Sequence, residues 1–196
     1  MPFKALDTDT QKPIYAFWFE ESNNLRAKHP NLVCPCCKGR VAARGGQSRR
    51  FTTHFYHVAK GGDGCLLGEK SKGVNLIHHT MMVTAVLDYL KPRIPKSFSL
   101  DTEHISEYVP GRIADLAVLD YGGKIVEAHE VQLTKVPISE LQERTDSYEQ
   151  AGVEVVWWFG KGCQTDDVIQ WAQRNFGYCI LPDVSFFSEE TEMEGF

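Results

Sequence analysis

The chain has no run of about 18 apolar residues, the minimum for a bilayer-crossing helix. Its opening, MPFKALDTDTQK, lacks the basic-then-apolar order of a secretory leader. The expected setting is therefore cytoplasmic, with no membrane partner. No internal repeat is visible, and no motif for reading base edges. Acids are missing from one long stretch. Between Ser22 and Gly62 there is none, against eight Lys and Arg.

What is present is 196 residues, 42% of them hydrophobic, enough for one core or for a core with a small appendage. The net charge of -5 is unevenly spread, with residues 1–68 at +5 and residues 69–196 at -10. That asymmetry predicts a basic module (1–68) joined to an acidic one (69–196). A basic surface built from Lys38, Arg40, Arg44, Arg49 and Arg50 would concentrate phosphate backbones. The alternative is an ordinary solvated surface. Six cysteines in a reducing compartment point to metal or core roles rather than disulfides.

The pattern along the chain predicts a mixed α/β fold with helices on both faces of a sheet. Lys12–Glu21 reads as a strand. Cys34–Cys65, rich in Gly, Cys and His, reads as a small metal-stapled knuckle. Val74–Leu90 has helical apolar spacing and stops before Pro92. Strands follow in KSFSLDTEHI, RIADLAVLD and KIVEAHEVQLT. Pro137–Gly152 reads as a helix with Ser139-x-x-Gln142 as a capping box and Gly152 as its stop. VEVVWWF suits a covered central strand, parallel to the one ending near Gln132. Thr165–Gly177 reads as a short helix, and YCILP as a last strand.

Cys34-x-x-Cys37 places two thiolates on one tight turn, half of a zinc site. His54, His57 and Cys65 are the candidates for the other half. The preferred set is Cys34, Cys37, His57 and Cys65, with His54 and Cys36 as substitutes. Four protein ligands leave no open position, so the zinc would be structural. Cys163 and Cys179 read as buried free thiols.

The second constellation is acidic. Asp115 lies on one predicted strand, and Glu130 and Gln132 share one face of the next. Two carboxylates from adjacent strands can hold a hard divalent cation, with the Val131 carbonyl as a further oxygen. Such a cation can activate water against a phosphodiester. Gln132 can position water or bond a phosphate oxygen but cannot act as a base. Glu103, on the preceding strand, is a candidate extra ligand. Arg144 and Tyr148 are one helical turn apart, and Arg144 can grip a phosphate bidentately. Taken alone, the acids also fit an exposed strand edge.

Together these motifs resemble the competence protein CoiA-like family, whose C-terminal part has a PD-(D/E)XK-type, restriction-endonuclease-like nuclease fold. The resemblance runs roughly from Phe3 to Phe159. FKALDT, CPCC, VAARGG and HFYH look like its N-terminal zinc-finger-like region. Arg112-Ile-Ala-Asp115, Glu130-Val-Gln132, the Arg144/Tyr148 helix and Val155-Val-Trp-Trp158 look like its nuclease motifs. It implies that Asp115 and Glu130 bind Mg2+ or Mn2+ and that Gln132 replaces the usual Lys. It also implies a contribution from Glu69 and from His78 or His79 on the first helix, and phosphate contacts from Arg112 and Arg144. Two departures stand out. Met82 or Val83 occupies the place of a family Lys, and His129 replaces an apolar residue.

The leading expectation is a magnesium-dependent deoxyribonuclease, with a zinc module that contacts DNA and a homodimer as a candidate assembly. A catalytically degenerate DNA-binding accessory protein is the alternative. A protein-interaction zinc module is a third reading.

Overall fold

The structure, a computed structural model, describes residues 3–19, 21–45, 53–58, 65–67 and 76–176. It comprises two compact units, Met1–Ile77 and His78–Phe196. The expected boundary at Gly68 and Glu69 falls outside the described residues.

In the first unit, β1 (Lys4–Asp7) pairs antiparallel with β2 (Lys12–Tyr15) and with β3 (Leu32–Val33). Asp7 Oδ1 accepts the Asp9 and Thr10 N–H groups at 2.9 and 3.3 Å and so shapes the turn between β1 and β2. The strand expected over Lys12–Glu21 stops at Tyr15. A 3-10 turn, Ala16–Trp18, replaces its second half, because Ala16 is fully buried and Phe19 N–H closes back on its carbonyl at 3.1 Å. A short helix that the sequence reading missed, α1 (Ser22–Lys28), follows and buries Leu25. The hairpin of β4 (Val41–Arg44) and β5 (His54–His57) follows, and beyond it Cys65 and Leu67 are buried.

The second unit is a mixed α/β layer structure around a four-stranded sheet in the order β6-β7-β8-β9. β6 (Ser99–Ile105), β7 (Ile113–Leu119) and β8 (Ile125–Thr134) are antiparallel neighbours. β9 (Glu154–Gly162) pairs parallel with β8, as the crossover predicts. Three helices cover the sheet, namely α2 (Leu76–Leu90), α3 (Ile138–Gln150) and α4 (Asp166–Phe176).

Period-two alternation sorts the sheet's side chains. Ala117, Ala128, Trp157 and Phe159 face one way and pack with Leu141 and Tyr148 of α3 and Trp171 of α4. Leu116, Val131, Val156 and Trp158 face the other way and pack with Met82 and Val86 of α2. Helices thus lie on both faces, as expected. The capping box does not form. Pro137 is the N-cap of α3 with no side-chain cap bond, and Gln142 instead bonds Asp146 and Trp171, at 2.7 Å each. Gly152 does end the helix. Its φ of +68° favours glycine, and Val153 N–H reaches Tyr148 O at 3.0 Å. YCILP lies outside the described residues.

Candidate active site and metal centre

The acidic site begins with a fork in the sheet. The β7–β8 ladder runs to the pair Leu116↔His129 and stops. Beyond it β7 stays paired with β6 as far as Ile113↔Ile105, while β8 continues beside β9 to Thr134. The central strands therefore part where Asp115 and Glu130 stand. In the fork, the Val131 N–H donates to Asp115 Oδ2 at 2.9 Å, so a side chain stands in for a neighbouring strand's carbonyl.

Three further groups converge there. His79, on α2, places Nε2 3.2 Å from Asp115 Oδ2. Tyr148, on α3, donates its hydroxyl to Glu130 Oε1 at 2.6 Å. Arg144, one turn earlier, lies 3.9 Å from Glu130 Oε2 and also pairs with Glu140. Asp115 and Glu130 are each only 3% exposed. Burial of a carboxylate is costly unless charge or hydrogen bonds offset it. Burial, followed by the negative charge of Glu130, pushes the Tyr148 phenol well above its ordinary pKa. It therefore remains a proton donor to the carboxylate.

Gln132 is half-buried, two residues along from Glu130, and its amide nitrogen donates to Thr134 O at 2.7 Å. Glu130 and Gln132 stand opposite Trp157 and Phe159 on β9, whose rings lie parallel 5.8 Å apart. The carboxylates thus border an apolar wall. Glu103 sits between the register pairs Thr102↔Leu116 and His104↔Ala114, across from Asp115. Its φ of +48° is unusual for a non-glycine residue in a strand.

Other expected site residues lie elsewhere. His78 is exposed, so of the two adjacent histidines it is His79 that meets Asp115. One sequence signal picks it out. The half-buried His79 continues, at helical spacing, the stripe of buried Met82, Val86 and Leu90 on α2. Arg112 is engaged with α3, at 2.8 Å from Glu143 Oε1 and 3.3 Å from Ser147 Oγ. His129 points away from Glu130. Its Nδ1 accepts from Trp158 Nε1 at 3.0 Å, and its Nε2 lies 2.5 Å from Glu127 Oε1. Glu69, Arg49, Arg50 and Cys179 fall outside the described residues.

The second site is the cysteine–histidine cluster. The Cys34 N–H and O bond Gly39 O and Lys38 N–H at 2.8 and 2.9 Å, which curls Cys34–Gly39 into a knuckle. β5 supplies His57, and Cys65 completes the set. The donor atoms of Cys34, Cys37, His57 and Cys65 all lie within 4.8 Å of one another. Among the described residues it is the only such grouping of three or more metal-binding side chains. His54 is instead bonded to Arg44 Nε at 2.9 Å. Cys36 stays outside the cluster, and Cys163 is buried elsewhere.

The geometry fits a tetrahedral ion. Zinc–sulfur bonds of about 2.3 Å put two ligand sulfurs roughly 3.8 Å apart. The Cys34 and Cys65 sulfurs are 3.6 Å apart, and Cys37 Sγ is 3.3 Å from His57 Nε2. Burial, with the neighbouring Cys65 adding to it, pushes the Cys34 thiol up to about 12. For Cys37, burial acts upward, but the Gly39 N–H and the adjacent thiols hold its pKa below the ordinary value. The cluster is compatible with a structural zinc.

Asp115 of β7, Glu130 of β8 and Tyr148 of α3 thus gather at the fork. Residues 102–182 match the family model described as competence protein CoiA, nuclease-like domain. That stretch is similar to the CoiA nuclease-like domain. It contains Asp115, Glu130, Gln132, Arg112, Arg144 and Tyr148. His79 and the cysteine–histidine cluster lie outside the match, which is narrower than the expected resemblance from Phe3 to Phe159. Neither the curated proteins nor the solved structures show a match to the chain. Among the described residues, no helix is long and apolar enough to cross a membrane.

Proposed function

We propose that this chain is a metal-dependent nuclease that hydrolyses phosphodiester bonds in DNA, with Mg2+ or Mn2+ at Asp115 and Glu130 and structural zinc at Cys34, Cys37, His57 and Cys65. The observation that carries the reading is the pair of nearly inaccessible carboxylates at the β7–β8 fork, within a nuclease-like domain.

The donor set fits a hard cation, since Asp115, Glu130 and the Val131 carbonyl offer oxygens only. When bound, such an ion supplies Lewis acidity at phosphorus and acidifies the attacking water. The protein's own groups do the rest. The Val131 N–H and His79 hold Asp115 in one rotamer, and Tyr148 fixes one oxygen of Glu130. Gln132 orients water or a phosphate oxygen through its amide. Arg144, already near Glu130, is placed to meet an incoming phosphate. Arg112 serves mainly to tie β7 to α3.

The test is a gel assay of single-stranded, duplex and branched DNA with and without magnesium, alongside manganese titration of the wild type and Glu130→Ala. Magnesium-dependent cleavage, with metal binding lost in the variant, is the expected result. Salt-dependent DNA binding without turnover in any metal would favour the degenerate, binding-only alternative.

A further inference from the structure

Arg144 stands between two carboxylates, one inside the acidic site and one nearer to solvent. Glu140, Arg144 and Tyr148 recur at four-residue spacing on α3 and so share one side of the helix. Tyr148, the innermost, donates to Glu130 Oε1 at 2.6 Å. Arg144 Nη1 lies 3.9 Å from Glu130 Oε2, while its Nη2 donates to Glu140 Oε1. Exposure rises along this stripe, with Tyr148 at 1%, the Arg144 side chain at 27% and the Glu140 side chain at 41%. The next acids of α3 are engaged elsewhere, Glu143 with Arg112 and Asp146 with Gln142. Glu140 lies in the first turn of α3, where the helix dipole favours a carboxylate whatever Arg144 does.

The contact between Arg144 and Glu130 acts in two directions. A guanidinium beside a buried carboxylate offsets its charge. It is also a positive charge close to the place where a cation would meet Glu130, and like charges repel more strongly where water is scarce. Arg144 and a divalent cation are therefore rivals for one carboxylate. Tyr148 is not a rival, because its phenol is neutral and takes the other oxygen. Glu140 offers Arg144 a second charged partner, one turn along the helix and away from the buried acids.

We propose that Glu140 is a positioning residue of the acidic site, setting its affinity for a divalent cation by drawing Arg144 off Glu130. Without a cation, Arg144 is shared between the two carboxylates. With one held by Asp115 and Glu130, Arg144 pairs with Glu140 alone. This role rests on the reading of Asp115 and Glu130 as cation ligands, and not on the cleavage of DNA.

The experiment titrates the full zinc-loaded chain with manganese by calorimetry. It compares the wild type, Glu130→Ala, Glu140→Gln, Arg144→Met and the double variant Glu140→Gln/Arg144→Met, with circular dichroism and zinc content checked for each. Glu140→Gln leaves Arg144 to Glu130, so the manganese Kd should rise about fivefold. That lies between the roughly twofold effect of an exposed helical ion pair and the roughly tenfold or larger effect of a charge-assisted hydrogen bond. Arg144→Met should bring the Kd below the wild-type value. Adding Glu140→Gln to it should change nothing more, because the effect passes through Arg144. Arg144→Gln is a second neutral replacement for the same comparison if the methionine variant does not fold. A Kd in Glu140→Gln equal to or below that of the wild type would overturn the proposal. So would an equal weakening when Arg144 is already neutral, since Glu140 would then be merely a nearby negative charge. Manganese binding that is absent, or unaffected by Glu130→Ala, would overturn both this proposal and the nuclease reading. Magnesium-dependent cleavage with a Kd indifferent to Glu140 would overturn this proposal alone. A Kd tuned by Glu140 through Arg144, without cleavage of any DNA, would sink the nuclease reading and leave this one standing.

Discussion

Replacing Tyr148 by phenylalanine removes one oxygen and almost no volume, so the cavity cost is negligible. The lost interaction is the 2.6 Å hydrogen bond to Glu130 Oε1. Tyr148 is 1% exposed and Glu130 3%, so water cannot easily replace it. A hydrogen bond to a charged group contributes about 1.5–3 kcal/mol, or a factor of roughly 10–150 in an equilibrium that needs that group ionised. Two effects then compete at the cation. The freed oxygen becomes more basic and attracts a cation more strongly. The same change lets a proton compete for it, and it frees the carboxylate to leave its coordinating position. Without the donor the buried charge is poorly solvated, so the second effect wins. The magnesium concentration for half-maximal DNA cleavage should rise by about tenfold or more, while cleavage at saturating metal falls less. Calorimetric titration with manganese checks the binding step directly. An unchanged metal midpoint, with cleavage merely lower, would refute the argument and reduce Tyr148 to packing.

The chain should carry one zinc, and its removal by a chelator, or Cys65→Ser, should melt the first unit's β-structure in circular dichroism, because such modules depend on their metal to fold; an unchanged spectrum in the metal-free chain would count against the cluster. The hydrogen bond from His29 to Asp7, 2.6 Å long, holds the Asp7 carboxyl below its ordinary pKa. A lowered pKa contributes stability above the unfolded value, near 3.9, that is lost as pH falls through the folded value; acid unfolding of the first unit should therefore be less steep in Asp7→Asn than in the wild type. Gly152→Ala places a Cβ at a φ of +68°, so the urea midpoint should drop by an amount equivalent to about 1 kcal/mol.

Much of the second unit was legible because local patterns there agree with tertiary demands. The Val-Val-Trp-Trp run became a covered parallel strand beside the one ending near Gln132. The fork itself could not be read. It depends on which backbone pairs with which, and nothing in Asp115 or Val131 alone says that the ladder ends at Leu116. Aromatic β-propensity in Ala16–Phe19 was overridden by burial of Ala16 and the turn around it. Ser22–Lys28, with Asn23 and Asn24 in its first turn, has little intrinsic helical signal, and its place comes from buried Leu25 and the 2.6 Å bond from Arg26 Nε to Ala43 O. Ser139 stands two residues too far in to cap the helix, because Pro137 already supplies the extended residue before it. The zinc ligands were legible because spacing on a tight turn is local. The preference for His57 over His54 has its physical reason in strand register, where Val41↔His57 and Arg44↔His54 send the two rings to opposite faces.

In the proposed nuclease site, Asp115 is the pivot. Asp115→Asn keeps the shape of the side chain and its acceptor for the Val131 N–H, and removes only the charge. Cleavage of DNA in magnesium, measured beside zinc content and thermal stability, tests it most directly. Cleavage should fall to background, with zinc content and folding unchanged. Cleavage at the wild-type rate by this variant would contradict it.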